Sequence, residues 1–151
     1  LAVELAIPMA PCGSTTFKRE DLAKGLEPDE CYYVQHEAAV RGDNEIDLSI
    51  APPPDLVIEV DITYRALGRE PIYAALGVPE LWRFDGERLE FLALAADRSY
   101  QPLPRSLAFP MLSLSALQRF VQMFRDGDKD DTSILRAFRE WVRETLSRGQ
   151  G

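Results

Sequence analysis

The chain has 151 residues, of which 46% are hydrophobic, and a formal net charge of −8. This length suits one domain with its own core and is too short for two ordinary domains. The acidic balance argues against broad electrostatic capture of nucleic acid, and without an apolar run of about 18 residues a membrane-spanning helix is excluded.

The first forty residues are predicted to form short strands separated by turns. We expect a strand over residues 2–7, a loop over 8–13 and a capped helical turn within 14–22. A second strand is expected over residues 31–35. The two cysteines, Cys12 and Cys31, form no CxxC pair, which argues against a zinc site. They are interpreted as two reduced thiols, with a disulfide left open as the alternative.

The most informative segment runs from residue 45 to residue 62. Residues 45–50 alternate polar and apolar side chains, as a half-buried strand does. Three prolines at 52–54 then end that strand, because proline has no N–H to donate. Residues 55–62 form an apolar, β-branched run that carries carboxylates, which predicts a central strand.

The rest of the chain is predicted to contain one hairpin and three helices. The first helix lies within residues 65–76, begins or kinks near Pro71, and closes at Gly77. Two alternating segments joined by a turn at 85–87 predict the hairpin. In it we expect Trp82 and Phe84 to share one face of their strand, and Leu89 and Phe91 one face of theirs, with the two pairs not on the same side. The remaining elements are a strand over 100–103 and helices over 113–124 and 133–146. The order predicts an α/β or α+β fold, a mixed sheet with helices packed on it.

Four carboxylates lie within fifteen residues of the central segment: Asp47, Asp55, Glu59 and Asp61. Buried carboxylates are costly unless they are paired or bind a metal. Glu59 and Asp61 are about 7 Å apart along one strand face, whereas Asp55 is about 13 Å from Glu59, too far to share an ion. Asp47 comes beside Glu59 if their strands pair. Such oxygen donors suit Mg²⁺ or Mn²⁺.

This constellation points to phosphodiester hydrolysis, because a hard divalent cation polarises a phosphoryl oxygen and activates water. Arg65 and Arg69 follow the strand and are the available cations. Structural roles stay open for each group: Asp55 as a turn cap, Asp61 as a solvated strand end, Glu59 as a buried structural carboxylate. The two arginines are equally compatible with an ordinary helix surface.

Two segments resemble the Uma-type restriction endonuclease family of the PD-(D/E)XK nuclease superfamily. Residues 46–63 contain PPPDLVIEV, and residues 72–86 contain YAALGVPELW. Residues 27–34 and 37–42 are similar to the same family. The resemblance is close over about residues 10–95 and looser over the C-terminal helices.

The resemblance implies one restriction-endonuclease-like domain over residues 1–151, lacking the N-terminal helix of its relatives, with residues 113–147 as its C-terminal helices. Asp47 then matches the first core carboxylate of the superfamily and Glu59 the second. Asp61 stands where the superfamily keeps a lysine and completes the expected metal set. Arg69 takes the place of a lysine that substitutes in many relatives. Arginine keeps the charge but cannot transfer a proton at neutral pH.

The resulting expectation is a Mg²⁺- or Mn²⁺-dependent endonuclease that cuts DNA, with Asp47, Glu59 and Arg69 in catalytic roles. It is expected to be cytoplasmic, without a membrane segment, and a homodimer as restriction-type enzymes commonly are. The alternative is a catalytically silent binding or regulatory module with the nuclease fold. Glu59→Ala is expected to abolish Mn²⁺ binding and to leave the fold largely intact.

Overall fold

The computed structural model describes residues 1–12, 28–43, 46–61 and 69–146. Within these ranges a six-stranded mixed sheet is flanked by helices, an α+β arrangement consistent with a restriction-endonuclease-like fold. The strands are β1 (Ala10–Pro11), β2 (Glu30–Tyr33), β3 (Leu56–Val60), β4 (Glu80–Phe84), β5 (Leu89–Leu94) and β6 (Tyr100–Leu103). The helices are α1 (Ala2–Leu5), α2 (Glu37–Val40), α3 (Glu70–Leu76), α4 (Leu114–Asp126) and α5 (Asp131–Trp141), which continues as a π-helical turn over Val142–Leu146. None of the helices in these ranges has the length and apolar character needed to cross a membrane.

The strands follow one another across the sheet in chain order, and all neighbours are antiparallel except β3 and β4. A parallel pair needs a crossover connection, which here contains α3. The helix starts as expected, with Pro71 in its first turn. It ends at Gly77, whose φ of 80° is in the left-handed region that glycine adopts without strain.

Each face of the sheet carries its own apolar core. The α3 face packs Tyr73 against buried side chains of β2, β3, β4 and β5; the strand residues are Cys31, Tyr33, Val57, Leu81 and Leu92. The opposite face, here called the α4 face, buries Leu56, Trp82, Leu89, Phe91 and Leu112 beneath partly buried residues of α4 and α5. Alternation along each strand therefore assigns successive residues to opposite faces of the sheet.

The predicted hairpin is confirmed, and each pair shares one face of its strand as predicted, but the expectation that the two pairs lie on different sides is wrong. Trp82 pairs directly with Phe91 and Phe84 with Leu89, so all four side chains lie on the α4 face. The Trp82 and Phe91 rings stack with centroids 4.4 Å apart. The turn over residues 85–88 sets this register, and Asp85 holds it by accepting hydrogen bonds from the N–H groups of Glu87 and Arg88.

Two predicted strands are not strands. Within residues 2–7, Ala2–Leu5 is a helix, because burial recurs at Ala2 and Leu5 while Val3 is 87% exposed. Among residues 45–50, those that the structure describes form a turn. The Asp47 carbonyl accepts from Ile50 N–H at 3.1 Å and from Ala51 N–H at 2.8 Å. The apolar alternation there reflects Ile46 and Leu48 packing against the α3-face core without strand pairing.

The C-terminal helices lie where the sequence predicts them. Ser113 caps α4 by accepting from the Ala116 N–H, and Asp130 caps α5 by accepting from the Ser133 N–H. Phe120, Phe138 and Trp141 form an aromatic cluster between the two helices, with ring centroids 5.1–5.8 Å apart. The apolar side of α5 is therefore used within the chain's own core. The predicted helical turn within residues 14–22 lies outside the described ranges.

Candidate active site

A row of polar side chains crosses the α3 face near the carboxyl end of β3. Glu59 on β3 is in register with Arg83 on β4, and Arg83 with Glu90 on β5. The β2–β3 register, in which Glu30 opposes Ile58, brings Asp29 opposite Glu59. Helix α3 adds Arg69 at its N-cap and Tyr73 one turn later. We call Asp29, Glu59, Arg69 and Tyr73 the Glu59 cluster.

Glu59 divides its two carboxylate oxygens between two donors. Its side chain is only 7% exposed. Oε1 accepts a short hydrogen bond from the buried Tyr73 hydroxyl. Oε2 accepts from Arg69 Nη1 at 2.7 Å, and the Arg69 side chain is 45% exposed. Oε1 therefore points into the core, and Oε2 faces the open side of the cluster.

Asp29 supplies a second carboxylate on the strand next to β3. It is exposed, and its Oδ2 accepts from the Val60 N–H at 2.7 Å, which fixes it at the end of β3. Its charge acts on both Glu59 and Arg69. Asp29, the residue just before β2, is thus the carboxylate that the sheet register places opposite Glu59, where the sequence suggests Asp47.

The electrostatics of the cluster follow from burial and these neighbours. Burial raises the pKa of the Glu59 carboxyl, and the negative charge of Asp29 adds to the rise. The Tyr73 hydrogen bond and the charge of Arg69 oppose it. Glu59 in turn raises the pKa of Arg69. Burial raises the pKa of Tyr73, as does its bond to Glu59, so that this hydroxyl remains a hydrogen-bond donor.

Arg83 is a second cation next to Glu59, but it is engaged elsewhere. It pairs with Glu70 of α3, and its Nη2 and Nε atoms donate to Glu90 at 2.6 and 3.1 Å. Arg83 therefore ties α3 to the sheet. Among the residues that the structure describes, Arg69 is the cation that contacts Glu59.

Asp47, the expected partner of Glu59, lies in the turn that replaces the predicted strand. Its side chain is exposed, and its Oδ1 accepts from the Ser49 N–H at 2.8 Å. The neighbours of β3 in the sheet are β2 and β4, so strand pairing does not bring Asp47 to Glu59. Ile46 and Leu48 pack on the α3-face core, which keeps this turn on the same side of the sheet as Glu59. The catalytic and metal-binding role of Asp47 stays a prediction.

The other predicted groups are placed differently. Asp61 follows β3, is half-buried, and its N–H donates to the Phe84 carbonyl at 2.8 Å. Asp55 is buried and accepts from the N–H groups of Val34 and His36 and from His36 Nδ1, the turn-capping role named as its alternative. Arg65 lies outside the described residues.

The donor chemistry of the cluster fits a hard divalent cation. The register places two carboxylates opposite each other, the buried Glu59 and the exposed Asp29. Mg²⁺ commonly takes one or two carboxylates and completes its shell with water. Within the described ranges no group of three or more His, Cys, Asp or Glu side chains could hold a metal. A protein-built cage is thus not seen there, and a two-carboxylate site is the arrangement these residues allow.

Asp29, Tyr73, Arg83 and Glu90 were not among the predicted site residues. Asp29 lies in an acidic Pro-containing segment interpreted as a turn, just before β2 begins. What identifies Asp29 is the β2–β3 register, which places it opposite Glu59. Tyr73 follows Arg69 by four residues, a spacing that puts both on one side of a helix start.

A family model named Uma2, with the description "Putative restriction endonuclease", matches residues 3–124. The match spans β1 to β6 and most of α4, and includes every member of the Glu59 cluster. No curated protein and no solved structure matches the chain.

Proposed function

The chain belongs to the Uma2 family, and from this membership we propose that it is a divalent-metal-dependent endonuclease that hydrolyses DNA phosphodiester bonds at the Glu59 cluster. The observation that carries the proposal is a pair of acidic residues in register across β3 and the start of β2. Glu59 is buried and ion-paired with Arg69, and Asp29, just before β2, is opposite it in the sheet register. Burying a carboxylate is costly unless its charge is paired or it binds a metal, and the Arg69 that pairs with Oε2 is itself half-exposed.

Asp29 and Glu59 would hold Mg²⁺ or Mn²⁺, and Asp61, the third predicted ligand, lies two residues beyond Glu59. The ion supplies Lewis-acid activation of the phosphodiester and of water. Tyr73 fixes Oε1 of Glu59 in the core, so that Oε2 is the oxygen presented to a cation. A carboxylate held in one rotamer loses less entropy when it binds, which favours a preorganised site.

Arg69 has a separate role in this proposal. Its guanidinium neutralises Glu59 and is 45% exposed, so it can turn from Oε2 towards a phosphate. There its fork of N–H donors matches two phosphate oxygens and stabilises the charge that develops on them. It cannot act as a base, because arginine remains protonated. The cluster's described residues therefore supply binding and charge stabilisation.

A pair of substitutions tests whether Asp29 or Asp47 binds the metal together with Glu59. Asp29→Asn and Asp47→Asn each keep an oxygen that can accept the backbone N–H while removing the charge. We expect Mn²⁺ to raise the Tm of wild type and Asp47→Asn, and to leave that of Asp29→Asn and Glu59→Gln unchanged. Cleavage of supercoiled DNA should follow the same order. If Asp47→Asn and Glu59→Gln lose the Mn²⁺ response while Asp29→Asn keeps it, the sequence-based assignment holds and the Asp29 assignment is wrong.

A catalytically silent module is the second candidate, favoured by Arg69 occupying Glu59 Oε2. Under this alternative the ion pair is a permanent substitute for a metal. No Mn²⁺ response in wild type or in any variant, together with DNA binding without cleavage, would support it.

We further propose that the active form is a cytoplasmic homodimer, because cutting both strands of DNA commonly uses two sites. Phe138 and Trp141 pack within the chain, so α5 does not offer its aromatic side to a partner. Sedimentation at micromolar concentration, with and without a DNA duplex, should give twice the chain mass. A monomer under both conditions would contradict the dimer.

A further inference from the structure

Cys12 and Cys31 face each other across the first two strands. The register that pairs Ala10 with Tyr33 and Pro11 with Tyr32 continues to these two residues. The Cys12 N–H donates to the Cys31 carbonyl at 2.9 Å. Both side chains are buried in the α3-face core, 6% and 0% exposed, and both are thiols. The Cys31 side chain hydrogen-bonds that of Cys12.

This placement comes close to the geometry of a disulfide. Directly opposed residues of a hydrogen-bonded antiparallel pair have Cα atoms about 5.5 Å apart, which lies inside the disulfide range of about 4.4–6.8 Å. Their Cβ atoms are typically about 4.5–5.5 Å apart, against about 3.5–4.5 Å in a disulfide. Closure therefore asks for an approach of about 1 Å at Cβ. Strand β1 has two residues and lies at the sheet edge, where such a movement meets little resistance.

We propose that Cys12 and Cys31 are a reversible oxidation site that closes a cross-strand disulfide with a low-molecular-weight disulfide such as oxidised glutathione. One thiolate attacks the small disulfide, forms a mixed disulfide and releases one small thiol. The second protein thiol then displaces the other small thiol. One S–S bond forms and one breaks, the two protein thiols are oxidised, and the small disulfide is reduced to two thiols that take up the two protons.

The closed structure controls the rate of this exchange. The hydrogen bond from Cys31, together with burial, raises the pKa of the Cys12 thiol, and the thiolate is the attacking species. Exchange therefore begins when β1 separates from β2. The rate should level off as the concentration of oxidised glutathione rises, because opening of the edge then becomes limiting.

The bond would act on the strand that follows Asp29. Cys31 of β2 is two residues from Asp29, and it pairs with Val57, two residues from Glu59. Oxidation would fix β1 against β2 and close a loop over residues 13–30. The inference does not depend on the nuclease proposal, since it concerns the thiols alone.

The test compares disulfide formation in the folded and unfolded chain. The whole chain is equilibrated in mixtures of reduced and oxidised glutathione, with and without concentrated urea, then alkylated and weighed by mass spectrometry. In the chain-entropy model, a loop of this length makes the equilibrium constant for the disulfide about a hundredfold larger in the folded chain than in the unfolded chain. Strain on closing the bond lowers that factor. We expect the equilibrium constant for the internal disulfide to be at least about tenfold larger in the folded chain.

Cys12→Ser and Cys31→Ser serve as matched controls, and each should give only a mixed disulfide with glutathione. By linkage, the oxidised wild type should also unfold at higher urea concentration than the reduced form. An equilibrium constant that is equal or smaller in the folded chain would overturn the proposal. So would glutathione adducts or intermolecular dimers in place of the internal bond.

Discussion

Glu59 is held by a buried hydroxyl and a half-exposed guanidinium, and these contacts change one expectation drawn from the sequence. The sequence suggests that Glu59→Ala leaves the fold intact, because it removes a repelling charge. Tyr73 donates to Oε1 inside the core, however, so its hydroxyl would lose its partner there. Leaving a buried donor without an acceptor costs about 1–3 kcal/mol.

We therefore predict that Glu59→Ala is less stable than Glu59→Gln by about 1–3 kcal/mol without metal. Glutamine keeps an oxygen for Tyr73 and nearly the same volume, whereas alanine also leaves a cavity. Urea denaturation of both variants in EDTA measures the difference. Equal stabilities would mean that the Tyr73 hydrogen bond contributes nothing to the free energy of unfolding. Tyr73 would then not hold Oε1 of Glu59 in place for metal binding.

Glu80 of β4 is a second buried carboxylate. It lies on the α4 face of the sheet, against the loop that precedes α4. It is fully buried and accepts from Trp82 Nε1 at 2.8 Å, Ala108 N–H at 2.7 Å and Ser106 Oγ at 3.1 Å. Burial raises the pKa of the Glu80 carboxyl, and these hydrogen bonds oppose the rise without cancelling it.

This shift predicts a specific pH dependence. A carboxyl whose folded pKa is raised contributes stability that is complete below its unfolded pKa of about 4.3 and is lost as pH rises through the folded value. The stability of wild type minus that of Glu80→Gln should therefore fall with pH above about 4.3 until the carboxyl is ionised in both states. Urea denaturation across this range tests it. A difference that grows with pH would show that the hydrogen bonds outweigh burial.

At the candidate site, the sequence singles out Glu59 because it lies in the middle of an apolar, β-branched run, between Ile58 and Val60. The Asp55 alternative, a turn cap, is also readable from the proline before it. Asp29 escapes notice because its partner is set by the β2–β3 register, which depends on non-local pairing. Asp47 attracts attention through its alternating neighbours, although its own carboxylate stabilises a turn.

At the scale of elements, segments with strong local signals are predicted and weakly patterned ones are not. Helix α3 is bounded by Pro71 and Gly77, and the β4–β5 hairpin by Asp85 and Gly86, all residues with definite backbone preferences. Residues 2–5 carry apolar spacings that fit either a strand or a short helix, and residues 46–50 carry spacings that fit either a strand or a packed turn. Tertiary contacts decide between these, which sequence pattern alone cannot supply.

Asp55 joins three elements, and removing it should show this. Its carboxylate accepts from the Val34 N–H at 2.7 Å and the His36 N–H at 2.9 Å, linking the end of β2 and the start of α2 to β3. We predict that Asp55→Ala lowers the free energy of unfolding by about 2–4 kcal/mol. Glu87→Ala, at an exposed carboxylate of the hairpin turn, is the control and should change little. A similar small effect for both would contradict the linking role.

At the scale of the molecule, an ion cluster joins the two ends of the described chain. Glu4 of α1 accepts from Arg139 of α5 and Arg143 of the π-helical turn, both at 2.5 Å. These hydrogen bonds lower the pKa of Glu4. Leu5, Val142 and Leu146 pack beside them.

We predict that Glu4→Gln speeds hydrogen exchange of the α1 amides while exchange in β3 and β4 is unchanged. A four-residue helix has little stability of its own and depends on its contacts. High salt should produce part of the same effect in wild type, because exposed ion pairs are screened. If hydrogen exchange in α1 responds neither to Glu4→Gln nor to high salt, the packing of Leu5 alone holds α1 in place.

The two edge strands each contain a proline, Pro11 in β1 and Pro102 in β6. An open sheet edge has unpaired N–H and C=O groups that can pair with a strand of another chain, and such pairing is a common route to aggregation. Proline removes one of those donors and blocks continuous pairing. At both edges of the sheet that the described residues form, proline thus hinders pairing with a further strand, and we expect concentrated solutions of the folded protein to resist fibre growth even though the strands are rich in apolar residues.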